Sequence, residues 1–253
     1  MWRASRYACL SGTTVLLMAG LFTTPAAFAQ TSQVVQLGFG GVFPRGVESR
    51  STGDVLARDL IGEPMSGSPS VTDALLFEIR DFRSSQVFGE WNISFSPNIE
   101  VGIGVGTYSR AVPSLYADVL DSSTGADIAQ TLTLRVTPIT GLIRFMPRRR
   151  PGQVQPYVGA GISLMNFRYS EMGDFVDPTT LDIFTDEFVA KGTTGGGVVL
   201  GGVRVPFSRN AGLGFEARYQ FGAGDTGGDN NGFLADKIDL SAAQINVTFF
   251  TRF

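Results

Sequence analysis

Eight charged side chains recur where the chain otherwise alternates between apolar and small polar residues: Glu90, Glu100, Arg135, Arg144, Arg204, Glu216, Arg218 and Arg252. Both signs are present, so the chemistry they could do together is ion pairing. An enclosed set of this kind could fill a narrow space as a plug, or line and gate a small selective path. Other chemistry has little to draw on. The chain has no His, and its single Cys is Cys9. A Ser nucleophile or an activated water at neutral pH needs a base of suitable pKa, usually His, so the chain is expected not to be an enzyme. A carboxylate-only hydrolase is the formal remainder. No catalytic residue, cofactor or metal site is expected. The glycine-rich "GTTGGGVVLGG" and "GIGVGT" match neither nucleotide fingerprint, and "DTGGDNNG" lacks the ligand register of a calcium loop.

Bulk properties narrow the class. The chain has 253 residues, 17% of them charged, and a net charge of −3, which gives no basic field for nucleic acid. Arg3 and Arg6 precede the apolar run "TVLLMAGLF", and Ala27 and Ala29 give a small-x-small pattern before Gln30. This reads as a cleaved export signal over 1–29, followed by one domain over 30–253; an anchor helix would need a longer apolar run.

The elements that must position the charges are strands. Period-2 alternation recurs in eight segments, approximately 33–43, 85–96, 98–109, 129–146, 154–168, 193–207, 211–223 and 237–253. In "GLGFEARYQF", Leu213, Phe215, Ala217, Tyr219 and Phe221 share one face; Gly214, Glu216, Arg218 and Gln220 share the other. In the last segment Ile245, Val247, Phe249, Thr251 and Phe253 oppose Gln244, Asn246, Thr248, Phe250 and Arg252. The polar faces are mostly Gly, a poor choice against water but suited to a crowded interior. The pattern implies an all-β, eight-stranded, antiparallel, transmembrane up-and-down β-barrel with long extracellular loops and short periplasmic turns. Its charges would pair as a Glu–Arg network across neighbouring strands. A soluble lipocalin-like binder, the other eight-stranded solution, needs the opposite faces.

Two segments change parity. Leu132, Leu134 and Val136 disagree with Ile139, Ile143 and Phe145 across Pro138, where a bulge is expected to restore the outward face. A similar switch falls near Ser241. Connections alternate in length: short at 96–98, 148–153 ("RRRPGQ", a basic periplasmic turn) and 208–212, long at about 44–84, 110–128, 169–192 and 224–236. Loops 44–84 and 169–192 are rich in apolar residues. They are expected to pack over the barrel mouth or to bind an extracellular partner or a small hydrophobic ligand.

The stretches "LGFGGVFPRG" (37–46), "PYVGAGIS" (156–163), "GLGFEARYQFG" (212–222) and "INVTFFTRF" (245–253) resemble small bacterial outer-membrane β-barrel proteins of the OmpA-membrane-domain, OmpX and OmpW-like group. The resemblance implies a Gram-negative outer-membrane location, contact with the lipid bilayer and lipopolysaccharide, a monomer, and insertion by the outer-membrane assembly machinery. On that resemblance Ile245, Val247, Phe249 and Phe253 form a C-terminal assembly signal, and a narrow channel for small or hydrophobic molecules is the alternative to a structural, surface-interacting role. The periplasmic peptidoglycan-binding domain of full-length OmpA has no counterpart in these stretches.

Overall fold

A computed structural model describes residues 32–51, 53–65, 68–147, 153–177 and 179–253. The expected export signal and most of "RRRPGQ" lie outside these residues. Eight strands carry the fold: β1 (Gln33–Pro44), β2 (Ser84–Ser96), β3 (Ile99–Leu120), β4 (Asp127–Phe145), β5 (Gln155–Val176), β6 (Ile183–Pro206), β7 (Ala211–Phe221) and β8 (Ala242–Arg252). Each pairs antiparallel with its sequence neighbours, and β1 pairs with β8, which closes the ring. The short segment Leu75–Leu76 adds a pairing to β3 above the ring. The start of β1 and the end of β8 meet, with Gln33 N–H donating to the Phe253 carbonyl at 2.9 Å.

The strands are unequal. β1, β2, β7 and β8 have 11 to 13 residues, about what one membrane crossing needs. β3 to β6 have 19 to 24 and rise well beyond it on the side away from the termini. The stretches 110–128 and 169–192, expected as loops, are therefore mostly strand, with short tips at 121–126 and 177–182. β-branched and aromatic residues continue the two-residue repeat there, so pairing goes on after the membrane ends.

No bulge forms at Pro138. The β4–β5 register is unbroken from Gln130 opposite Gly173 to Phe145 opposite Val158. On the other side the ladder skips from Val105 opposite Ile139 to Tyr108 opposite Val136 without a shift, as a residue lacking N–H requires. Leu132, Leu134, Val136, Pro138, Thr140, Leu142 and Arg144 all point inward and are buried. Side-chain parity is constant; the surroundings change. Below Pro138 the outward residues are Ile139, Ile143 and Phe145, and above it Thr131, Thr133, Arg135 and Thr137. The expected switch near Ser241 has the same explanation: Ile238, Leu240, Ala242, Gln244 and Asn246 are all buried, on one parity.

The barrel thus has two levels. The lower level wears an apolar belt of exposed residues, among them Phe39, Trp91, Ile103, Ile143, Ile162, Phe215 and Val247, around a polar interior. That is the arrangement of a membrane-spanning barrel. The upper level has the packing of a water-soluble protein. Tyr116, Leu132, Val136, Phe167 and Tyr169 of the tall strands join Leu56, Phe77, Phe82, Phe233 and Ile238 of the two long connections in one apolar core. Those connections stand where the short strands stop. Helix α1 (Val55–Ile61) is capped by Asp54, whose side chain accepts from Ala57 N–H at 3.1 Å. The same carboxylate pairs with Arg50 at 2.9 Å and accepts from Asp239 N–H, which ties one connection to the other.

Candidate functional site

The lower lumen brings together most of the charges singled out in the sequence. Arg144 on β4 reaches Glu90 on β2 and, at 3.2 Å, Glu216 on β7. Arg218 on β7 contacts Glu90 and Glu216, each at 2.6 Å. Two cations and two anions close a ring in which every member touches both opposite charges. A second pair, Arg204 on β6 and Glu100 on β3, lies at 2.8 Å. Apart from Arg218–Glu216, which lies within β7, these contacts join strands that are not neighbours and so cross the lumen; the expectation of pairing between adjacent strands is corrected. Closing the sheet brings β2 and β4 to face β7, a proximity that local alternation does not encode.

Neutral groups complete the filling. Arg204 also donates to Gln36 at 3.0 Å, and Arg144 donates to Asn92. Tyr157 donates its hydroxyl to Glu216 at 2.9 Å, and its ring lies 5.6 Å from the Arg144 guanidinium and 5.3 Å from that of Arg204. Arg218 stacks on Phe88 at 4.7 Å. Gln86 donates to Gln244 and Asn246. Small residues make this density feasible. A Cβ at Gly38 would fall 2.2 Å from the Phe88 ring, and one at Gly102 2.0 Å from Asn92 Oδ1. The glycines on the polar parity are thus the room that the long side chains occupy. The six lumen charges named here balance among the described residues, and each guanidinium faces carboxylates or ring faces, as charges removed from water require. The void beside Glu90, Phe88 and Arg218 is about 10 Å³, the space of one water.

Two of the expected lumen residues sit elsewhere. Arg252 lies at the terminal end, donates to Gln155 at 3.3 Å and packs 5.9 Å from the Phe250 ring. Arg135 is exposed on the outer wall, because β4 has left the membrane by that point and its outward face meets water. There it is level with Arg168 on β5, which is in turn level with Lys191 on β6. This cationic row stands just above the outward apolar pair Ile139 and Leu164. Glu187 contacts Arg168 at 3.3 Å on an exposed surface, which offsets little of its charge. Alternation within β4 alone assigned Arg135 inward; the cross-strand row was hidden because three strands had to be aligned to see it. Ile245, Val247, Phe249 and Phe253 are exposed on the outer face of the chain's end, where Phe249 packs 6.4 Å from Phe207.

No family model and no curated protein matches the chain. Among solved structures it is similar to Neisserial surface protein A, at 12% identity over 88% of this chain and 96% of that one, with a TM-score of 0.44. The outer membrane protein OprG from Pseudomonas aeruginosa gives 12% identity, 88% and 95% coverage and a TM-score of 0.44. The outer membrane protease OmpT from Escherichia coli gives 13%, 91% and 97%, and 0.37. With its closed ring, apolar belt and polar lumen, the chain is a membrane-spanning, eight-stranded, antiparallel up-and-down β-barrel.

Proposed function

We propose that this protein is a plugged barrel of a Gram-negative outer membrane, with a structural and surface-interacting role and no catalytic one. One observation carries the reading: the Glu90–Arg144–Glu216–Arg218 ring and the Glu100–Arg204 pair span the lumen between non-adjacent strands. A steady ion path would have to break charge pairs that are buried, at roughly 3–5 kcal/mol for each stranded charge. In this reading residues 1–29 are a cleaved export signal, and Ile245, Val247, Phe249 and Phe253 present the face read by the assembly machinery. The barrel works as a monomer. The row Arg135, Arg168 and Lys191, at headgroup height, supports contact with lipopolysaccharide phosphates.

The second reading, a narrow channel, is favoured by the lumen atoms that lack a protein partner. They include Gln36 Nε2, Asn92 Nδ2, Gln244 Nε2 and Asn246 Nδ2, polar groups of the kind a water file would serve. Planar-bilayer recordings separate the two. A plug gives no steady conductance in the native protein and a measurable one when Glu90 and Arg218 are both replaced by Ala. Steady conductance of the native barrel would overturn the plug.

A further inference from the structure

The upper level holds carboxylates that the lumen does not use. Asp59 on α1 and Glu171 on β5 line a cavity of about 170 Å³ that opens away from the membrane between the connections and the β5–β6 hairpin. Both are more than nine-tenths buried, Asp59 at 8% and Glu171 at 7% exposure. Among the described residues no Arg or Lys lies within ion-pair distance of either. Arg58, which acts on the neighbouring Asp73, is engaged with Glu63. Tyr169 donates its hydroxyl to Asp59 at 3.3 Å.

Two acceptors in the wall lack donors. Glu171 Oε1 is buried without a hydrogen-bond partner, and so is Gln130 Oε1. The Gln130 amide cannot be turned to cure this, because its Nε2 donates to the Asp174 carbonyl at 3.2 Å and to the Tyr116 hydroxyl at 3.0 Å. An oxygen facing that carbonyl would be repelled. Gln130 stands opposite Gly173 and Leu132 opposite Glu171, so Gln130 and Glu171 are diagonal neighbours on one face. Over them stand three phenylalanines. Phe175 stacks on Phe184 with centroids 5.8 Å apart and meets Phe188 edge-on at 4.7 Å.

This wall asks for donors, positive charge and an apolar body at once. An anion would face three carboxyl groups, Asp59, Asp73 and Glu171. A neutral apolar molecule would leave both acceptors unmet, at a cost on the order of 1–3 kcal/mol each. A metal ion is disfavoured because no group of three or more His, Cys, Asp or Glu side chains among the described residues could hold one. The volume is roughly ten times what one water needs. We propose that this cavity binds a primary alkyl- or arylalkyl-ammonium ion, its ammonium bonded to Glu171, Asp59 and Gln130 Oε1 and its carbon body against Phe175, Phe184 and Phe188. Aromatic faces add to the attraction for such a cation. The site is independent of whether the lumen conducts.

Proton linkage supports the assignment. Burial and the neighbouring Glu171 raise the Asp59 carboxyl well above its usual range, and burial pushes Glu171 up to about 7. The other ionisable groups facing the pair are Asp54, Asp73, Tyr169 and Tyr116, none of them cationic, so no side chain among them competes with a bound cation for the carboxylates. Without a ligand, protons moderate the buried charge; an ammonium takes their place. Binding therefore tightens as pH rises through about 7.

Isothermal titration of the full barrel in micelles tests this with benzylamine, benzyl alcohol and benzoate. Benzylamine is expected to bind at least about tenfold tighter than benzyl alcohol, and tighter at about pH 8 than at about pH 5. Benzoate is expected not to bind. Glu171→Gln should weaken benzylamine about tenfold or more while Glu187→Gln, on the exposed outer wall, leaves it unchanged. Equal affinity for the alcohol, unaltered affinity in Glu171→Gln, or no benzylamine heat at millimolar concentration would overturn the site. If Glu171→Gln does not fold, Phe184→Ala decides: its ring is 41% exposed, so the barrel tolerates the change. Several-fold loss of benzylamine affinity is expected, and native affinity would overturn the proposal.

Discussion

Two interiors share one set of strands. In the lower barrel the buried side chains include Gln36, Asn92, Arg144, Arg204 and Glu216; in the upper barrel they include Leu132, Val136, Phe167, Tyr169 and Ile238. β4 passes through both without shifting register. What reverses is the outer solvent. In lipid the apolar side chains belong outside, and the polar ones must satisfy one another within. In water the hydrophobic effect drives the same inward parity to be apolar. The comparison also shows how each level closes. The lower one closes by ion pairs across the ring, the upper one by two connections that supply the missing half of a core.

The sharpest way to break the comparison is to exchange the two kinds of burial. Arg144→Leu leaves Glu90 and Glu216 to share Arg218 alone, with one buried charge uncompensated, and should destabilise the barrel by about 3–5 kcal/mol, read as urea unfolding in lipid vesicles. Replacing Arg144 together with Glu90 by Leu and Met should cost less than Arg144→Leu alone. In the upper core, Leu132→Ala should cost about 3 kcal/mol, by the same assay or by the onset of proteolysis of the connections. If Leu132→Ala costs nothing, the upper level is not a packed core.

Smaller effects should separate the outer faces. Ile143→Arg faces lipid and should cost about 2–4 kcal/mol. Thr133→Arg, on the same face of the same strand, faces water and should stay within about 0.5 kcal/mol. The smallest expected effect is a pH response confined to the upper level. Asp59 and Glu171 have pKa values above those of the unfolded chain, Glu171 at about 7. The folded state therefore holds more protons than the unfolded one between the ordinary carboxylate range and about pH 7. Their contribution is fully present below the unfolded pKa and is lost as pH rises through about 7. Hydrogen exchange at α1 should become faster from about pH 5 to about pH 8, after correction for intrinsic rates, while β8 stays protected.

The same contrast explains what the sequence disclosed. β7 and β8 are short and lie within one environment, so their alternation placed Glu216, Arg218, Phe249 and Ile245 on the faces that the structure gives them. β4 crosses a boundary, and a rule that assumes one solvent turned that crossing into a bulge at Pro138 and an inward Arg135. The stretches 110–128 and 169–192 look like loops in the sequence because their alternation reverses meaning above the membrane. The pairing of Glu90 with Arg218 and of Glu100 with Arg204 depends on ring closure, and so do the supporting Gln36, Asn92 and Tyr157. The acceptors Gln130 and Glu171 carry no local signal at all, since an unmet hydrogen bond is a property of three-dimensional surroundings.

Parity in β4 is constant while its environment changes. Single cysteines at 131–145, in a background with Cys9 replaced, test it by spin-label accessibility to a water-soluble relaxant and to oxygen. The expected result is that Thr131, Thr133, Arg135 and Thr137 report water and Ile139, Ile143 and Phe145 report lipid, with Leu134, Val136 and Leu142 shielded from both. Lipid exposure of Leu134 and Val136, the signature of a bulge at Pro138, would contradict it.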